Sequence, residues 1–120
     1  MFRNIIQYFN KKNLKDTKYE FLFDKTLNDE YVCFDCETTG LNPKKDDIVS
    51  IGAVIIKNNT IIASKRFVKF VKPKTKLQAD AIKIHHIRVC DLEDAEDINV
   101  VVEEFLNFIG NRTLVGYFLE

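Results

Sequence analysis

The sequence predicts a mixed α/β domain, and three observations predict it. Residues 31–36, Tyr-Val-Cys-Phe-Asp-Cys, form a short apolar run followed by turn residues, the pattern of a buried central strand. Two further strand-like runs, roughly 47–57 and 60–71, flank Asn58-Asn59, a credible two-residue hairpin turn because asparagine tolerates positive φ. Residues 98–109 then place Ile98, Val101, Val102, Phe105, Leu106 and Ile109 on one helical face, with Asp97 as N-cap and Gly110 as the stop. The order strand, hairpin, helices, strand describes a sheet with an antiparallel portion and one helix-linked crossover, not an uninterrupted βαβ alternation.

The remaining elements follow in chain order. Phe2, Ile5, Ile6 and Phe9 recur at helical spacing within residues 2–14, and Lys11 and Lys12 sit near the end, where the macrodipole favours cations. Residues 15–30 alternate charged and apolar groups, with a second helical turn expected around residues 19–23. Residues 1–30 are therefore read as a helical extension ahead of a domain at 31–120. Thr38-Thr39-Gly40-Leu41-Asn42-Pro43 is a turn-rich stretch, Pro73 ends the return strand, and a loop with a short helix covers 74–87. After the acidic stretch 91–97 and the long helix, residues 113–119 read as a last strand.

Composition narrows the class. The 120 residues carry 18 Lys+Arg against 18 Asp+Glu, so the chain is no general polyanion sponge, and 46% apolar residues argue against disorder. The longest apolar runs, at 51–56 and 114–119, fall far short of the roughly 20 residues a membrane span needs. Arg3, Asn4 and Gln7 break any secretory h-region, so the expectation is a cytoplasmic protein with no membrane partner. Three cysteines, an odd number, suit reduced thiols. Cys33 and Cys36 have C-x-x-C spacing, but residues three apart on a strand point to opposite faces, and no second pair completes a zinc site.

The sharpest chemical feature is Asp35-Cys36-Glu37, at the end of the first strand. Residues two apart on a strand share a face, which sets both carboxylates side by side with Cα atoms about 6.6 Å apart. Like charges at that separation repel unless a cation or a proton compensates, and hard divalent ions such as Mg²⁺ or Mn²⁺ prefer oxygen donors. An isolated D-x-E is usually a solvated strand end. Here it closes a buried run and is followed by the hydroxyls, glycine and apolar residue of Thr38-Thr39-Gly40-Leu41, a setting in which unpartnered acids are costly.

At these residues the sequence resembles a known family. Phe34-Asp35-Cys36-Glu37-Thr38-Thr39-Gly40-Leu41 is similar to the first motif of the DEDD 3′–5′ exonucleases, in the branch of the bacterial DNA polymerase III epsilon subunit. Asp47-Ile48-Val49-Ser50-Ile51-Gly52-Ala53-Val54 resembles that family's second strand, and Val71-Lys72-Pro73 the end of its third. Asp80-Ala81-Ile82-Lys83-Ile84-His85-His86-Ile87 resembles the segment that usually reads I-H-G-I, with His86 where glycine is usual. Leu114-Val115-Gly116-Tyr117 resembles the start of the second motif, with Tyr117 and Phe118 in place of histidine and asparagine.

The resemblance implies an RNase H-like mixed sheet with an antiparallel hairpin and flanking helices, C-terminally incomplete. It implies Asp35 and Glu37 as catalytic metal ligands for two ions, Mg²⁺ or Mn²⁺. Thr38 would contact the terminal nucleotide, Leu41 would pack on its base, and Asp80 and His85 would line the nucleotide site. The substrate would be a DNA 3′ end, single-stranded or frayed, hydrolysed by a two-metal mechanism, and a DNA polymerase subunit is the partner in the proofreading relatives. The carboxylate of the second motif and the histidine of the third are not among residues 1–120, so the chain alone is expected to be inactive. The alternative is a non-catalytic nucleic-acid-binding or assembly module. Seven basic residues (Lys65, Arg66, Lys69, Lys72, Lys74, Lys76, Lys83) against Asp80 alone, with Phe67 and Phe70 interleaved, suit either a phosphate-guiding stripe or a lysine-protected edge strand.

Overall fold

A computed structural model describes residues 10–117. β1 (Glu30–Thr38), β2 (Ile48–Lys57), β3 (Thr60–Phe70) and β4 (Thr113–Val115) form one sheet in the order β3-β2-β1-β4. α1 (Ala79–His85) and α2 (Ile98–Ile109) follow the hairpin, with 3₁₀ turns at Thr17–Phe23 and Val89–Leu92. β1 pairs antiparallel with β2 and parallel with β4, the arrangement that a hairpin and one helical crossover give. Among the described residues no helix is long and apolar enough to cross a membrane.

The pleat of β1 divides the sheet. Val32 is fully buried, and Phe34 and Cys36 pack on the same core, whereas Tyr31 and Asp35 are exposed on the other face. β2 alternates the same way, burying Val49, Ile51, Ala53 and Ile55. A β-branched run of this kind suits a pleated, central strand. α2 covers the core face with Val101, Phe105 and Ile109. Phe105 lies 5.5 Å from Phe34 and 5.3 Å from Phe67 between ring centroids. The expected helical face needs one correction. Val102 is exposed, and Phe108 instead meets Phe67 at 5.6 Å, because the stripe facing the sheet is rotated towards β3. Asp97 caps the helix by accepting from the Asn99 N–H, and Gly110, at φ 58°, ends it.

Asn58 and Asn59 turn the hairpin at φ 49° and 58°, both left-handed, as a type I′ connection requires. Between the Ile55–Ile62 and Val54–Arg66 rungs the register shifts, and Ala63, Ser64 and Lys65 of β3 face no β2 partner. Glu30 opens β1 between two cations, 2.9 Å from Lys57 Nζ and 2.9 Å from Arg112 Nε, the second contact fixing the loop that delivers β4. The Lys57 hydrogen bond, more than Arg112, holds the Glu30 carboxyl below its usual range. β4 is shorter than the expected 113–119: its three rungs end at Val115, level with Cys33, so the chain leaves the sheet before reaching Asp35. Residues 118–120 and most of the expected 2–14 helix lie outside the described residues. Residues 10–12 are helical, and Lys11 pairs with Asp24 at 3.2 Å. The expected turn near 19–23 is the 3₁₀ segment, tied to α2 through Lys18–Glu103 at 3.2 Å.

α1 ends at His86, whose φ of 62° is left-handed. A Cβ there costs about 1 kcal/mol that glycine avoids, which gives a physical reason for glycine at this point of the I-H-G-I pattern. His86→Gly should therefore stabilise the fold by about 0.5–1 kcal/mol, partly offset by glycine's unfolded-state entropy. A rise in the urea midpoint with unchanged slope is the expected result.

Candidate active site

The carboxylates occupy the face of the sheet that α2 leaves uncovered. Asp35 is paired with Gly52 of β2 and Glu37 with Ser50, so the residues beside the acids carry little or no side chain. A Cβ added at Gly52 would meet nothing within 4 Å. Asp35 is exposed and Glu37 half-buried, and among the described residues no ion pair includes either. Cys36, between them, points into the core. Burial, followed by the charges of Asp35 and Glu37, pushes its thiol up from the ordinary range. Cys33 lies on the opposite face from Cys36, so the C-x-x-C spacing makes no chelate, and all three cysteines are free. Among the described residues no group of three or more His, Cys, Asp or Glu side chains is placed to hold a metal. Two hard oxygen donors on one face suit a divalent cation, but only as part of its coordination shell.

A cavity of about 530 Å³ adjoins Asp35, walled by Thr38, Gly40, Leu41 and Tyr117. Leu41 is 89% exposed and Tyr117 88%, two apolar surfaces beside the carboxylate. The wall is stiffened from behind. The Thr38 hydroxyl donates to the Gly40 carbonyl at 2.6 Å. Thr39, fully buried, donates to Asp46 Oδ1 at 3.1 Å and accepts the Asp47 N–H at 3.0 Å. Gly40 has no room for a Cβ, which would meet Asp46 Oδ2 at 2.6 Å and the Gln78 amide closer still. Asp46, Asp47, Thr39 and Thr75 are binding groups of the loop that the sequence reading passed over.

The other expected residues separate. His85 reaches the loop: its Nε2 lies 3.1 Å from the Thr38 carbonyl, and its Nδ1 accepts the Ile87 N–H at 3.0 Å. Since Nδ1 accepts, the ring proton sits on Nε2 and is given to Thr38. Both nitrogens are engaged by backbone. Asp80 is not brought to the cavity: its side chain is 92% exposed and pairs with Lys83 at 3.5 Å on α1. The basic stripe is also broken up. Lys69 pairs with Glu96 and Glu104 at 3.2 and 2.9 Å, Lys72 donates to the Glu93 carbonyl, and Phe67 is in the core.

The fold is a mixed α/β sheet domain with two acids at the end of its central strand. Residues 32–120 match the profile of the exonuclease family of the RNase T type, and the chain belongs to that family. It is 33% identical over 114 residues to the PolC-type DNA polymerase III of Mycoplasmopsis pulmonis, covering 95% of this chain and 8% of that protein. It is 36% identical over 94 residues to the PolC-type enzyme of Clostridium perfringens, covering 78% and 6%. The chain thus spans less than a tenth of the relatives it matches. Among solved structures, cell-death related nuclease 4 superposes with a TM-score of 0.64 at 22% identity over 73% of this chain and 34% of that one. Exonuclease I in complex with an inhibitor gives 0.67 at 17% identity, over 78% and 22%.

The paired acids make two predictions. At about 6.6 Å in a water-like dielectric their repulsion is about 0.6 kcal/mol, so Glu37→Gln should raise the metal-free melting temperature by about 3 °C. Added Mg²⁺ should stabilise the parent and leave that variant nearly unchanged. Asp47 supplies the pH test. Thr75 N–H, then the Thr75 hydroxyl and Lys74 N–H, hold its carboxyl below the usual range. A lowered folded value gives stability that is present above the ordinary range, about pH 4, and lost as the pH falls through the lowered value. The gap in urea midpoint between the parent and Asp47→Asn should be open at pH 7 and should narrow below pH 4.

Proposed function

We propose that this chain contributes the first carboxylates of a 3′–5′ exonuclease site that hydrolyses the terminal phosphodiester of a DNA strand. The observation that carries the reading is Asp35 and Glu37 on the same uncovered sheet face, with Asp35 against a cavity bounded by Thr38, Gly40 and Leu41. Asp35 and Glu37 would hold divalent metal, Mg²⁺ or Mn²⁺. A metal pair bound at such a site supplies an activated water and charge stabilisation at the leaving oxygen. Leu41 packs on the terminal base, Thr38 meets the terminal nucleotide, and the Gly52 position leaves the acids open to a phosphate. The PolC-type relatives support a DNA end presented by a polymerase, and with it a proofreading role.

Two carboxylates bring about two negative charges against about four on a metal pair, so at least one ion is held loosely. His85 is committed to backbone on both nitrogens and is not the base for water. The 120 residues alone are therefore expected to release no nucleotide from a 3′-labelled single strand with Mg²⁺ or Mn²⁺. Joined to further exonuclease-domain sequence from the Clostridium perfringens relative, they should release it. Asp35→Asn or Glu37→Gln should each lower that rate by a factor of about 10³ or more, with folding retained. Activity that survives the double substitution would contradict the assignment.

A further inference from the structure

We propose that Asp47 is a positioning residue for the exonuclease site: it fastens residues 38–41 to residues 74–78 and so fixes where Thr38 and Leu41 stand relative to Asp35. This inference rests on the function proposed above. Its ground is the way hydrogen bonds converge on one residue 12 positions after Asp35 in the sequence. The Asp47 carbonyl accepts the Thr39 N–H at 2.8 Å, and the Asp47 N–H donates to Thr39 Oγ1 at 3.0 Å. Its carboxylate oxygen Oδ2 accepts the Lys74 N–H at 2.8 Å, the Thr75 N–H at 2.7 Å and the Thr75 hydroxyl at 2.9 Å. Five bonds thus join the two segments through Asp47, two to Thr39 and three to Lys74 and Thr75.

The hydroxyl protons are accounted for. Thr75 has one, and the charged Asp47 oxygen is the stronger acceptor. Thr39 has one, which goes to the charged Asp46 Oδ1 and leaves Thr75 Oγ1, 3.0 Å away, as a shared neighbour. A second layer seals the junction. The Gln78 N–H donates to the Thr39 carbonyl at 3.0 Å, and Gln78 Nε2 donates to Asp46 Oδ1 at 3.0 Å. Gly40 passes between these groups, where a Cβ would press on the ends of the Gln78 and Asp46 side chains. Asp47, Thr39, Thr75 and Gln78 do not line the cavity, whereas Asp46 does. The faces of Thr38 and Leu41 towards the cavity stay free for a nucleotide, while Asp35 and Glu37 are fixed separately by the β1–β2 ladder. Asp47 therefore acts on the nucleotide wall and not on the metal ligands. Misplacing a binding wall by about 1 Å is enough to change rates and affinities by one to two orders of magnitude.

The test uses the 120-residue chain, with Mn²⁺ line broadening to read the carboxylates and thymidine 5′-monophosphate with Mg²⁺ to read the wall, both by amide resonances. In the parent, Mn²⁺ should broaden residues around Asp35, and the nucleotide should shift residues 38–41. Asp47→Asn should keep the Mn²⁺ midpoint within twofold and weaken nucleotide binding about tenfold. Thr39→Val should do the same, and Thr39→Ser, which keeps the hydroxyl, should return binding to within twofold of the parent. If Asp47→Asn does not fold, Thr75→Ala, which removes one hydroxyl and leaves both backbone donors, should give a smaller loss with the same split. Equal nucleotide affinity in folded Asp47→Asn, or parallel loss of metal and nucleotide, would overturn the positioning role. A parent that binds neither probe would instead overturn the proposed function.

Discussion

The burial of Val32, Phe34 and Cys36 under α2 is the constraint on which the rest of the structure depends. A strand has only two faces, so once alternate residues of β1 are committed to Phe105 and its neighbours, Asp35 and Glu37 have no choice but the other side. A slip of one residue would bury both acids at a cost of several kcal/mol each. The β1–β2 ladder holds that register along the strand, and the Glu30 ion pairs with Lys57 and Arg112 pin its start. The chemistry at the carboxylates is thus a by-product of core packing, and the core is built from ordinary β-branched and aromatic residues.

The elements closest to local rules were the most legible in the sequence. The apolar run 31–36, the Asn58-Asn59 turn and the Asp97–Gly110 helix each carry their own signal in period, turn chemistry or caps, and the structure places all three where that signal points. Sheet order followed from the same reading, since one hairpin and one crossover leave few arrangements. What stayed hidden depends on contacts distant in sequence. Nothing local says that Phe108 rather than Val102 meets the sheet, because that contact is with Phe67 of β3, distant in sequence. The short 3₁₀ turn at Val89–Leu92, held by Arg88 and Asp91, was equally invisible at the edge of an acidic stretch.

The candidate site was legible in part for the same reason. Asp35 and Glu37 share a face by strand geometry alone, and Leu41 follows them into the cavity wall. His85 was singled out by its place in the segment that resembles I-H-G-I, and its two backbone bonds make it a brace for Thr38. Asp80 stands exposed on α1, paired with Lys83. Thr39 was missed because a buried threonine looks like any other polar turn residue until its partners, up to 39 positions away in sequence, are known.

The register shift in β3 has a consequence for how this sheet meets its neighbours. β3 is an outer strand, and an outer strand with continuous unpaired backbone invites another chain to add to it. Ala63, Ser64 and Lys65 break that line, leaving runs of three and five residues on either side whose hydrogen-bonding directions no longer continue one another. At the far end, Val71 is bridged to Glu96 and the Lys72 N–H is given to the Glu96 carbonyl. An approaching strand would find the template interrupted at one end and already occupied at the other, so β3 resists lateral growth even though Ile61, Val68 and Phe70 leave apolar surface exposed along it.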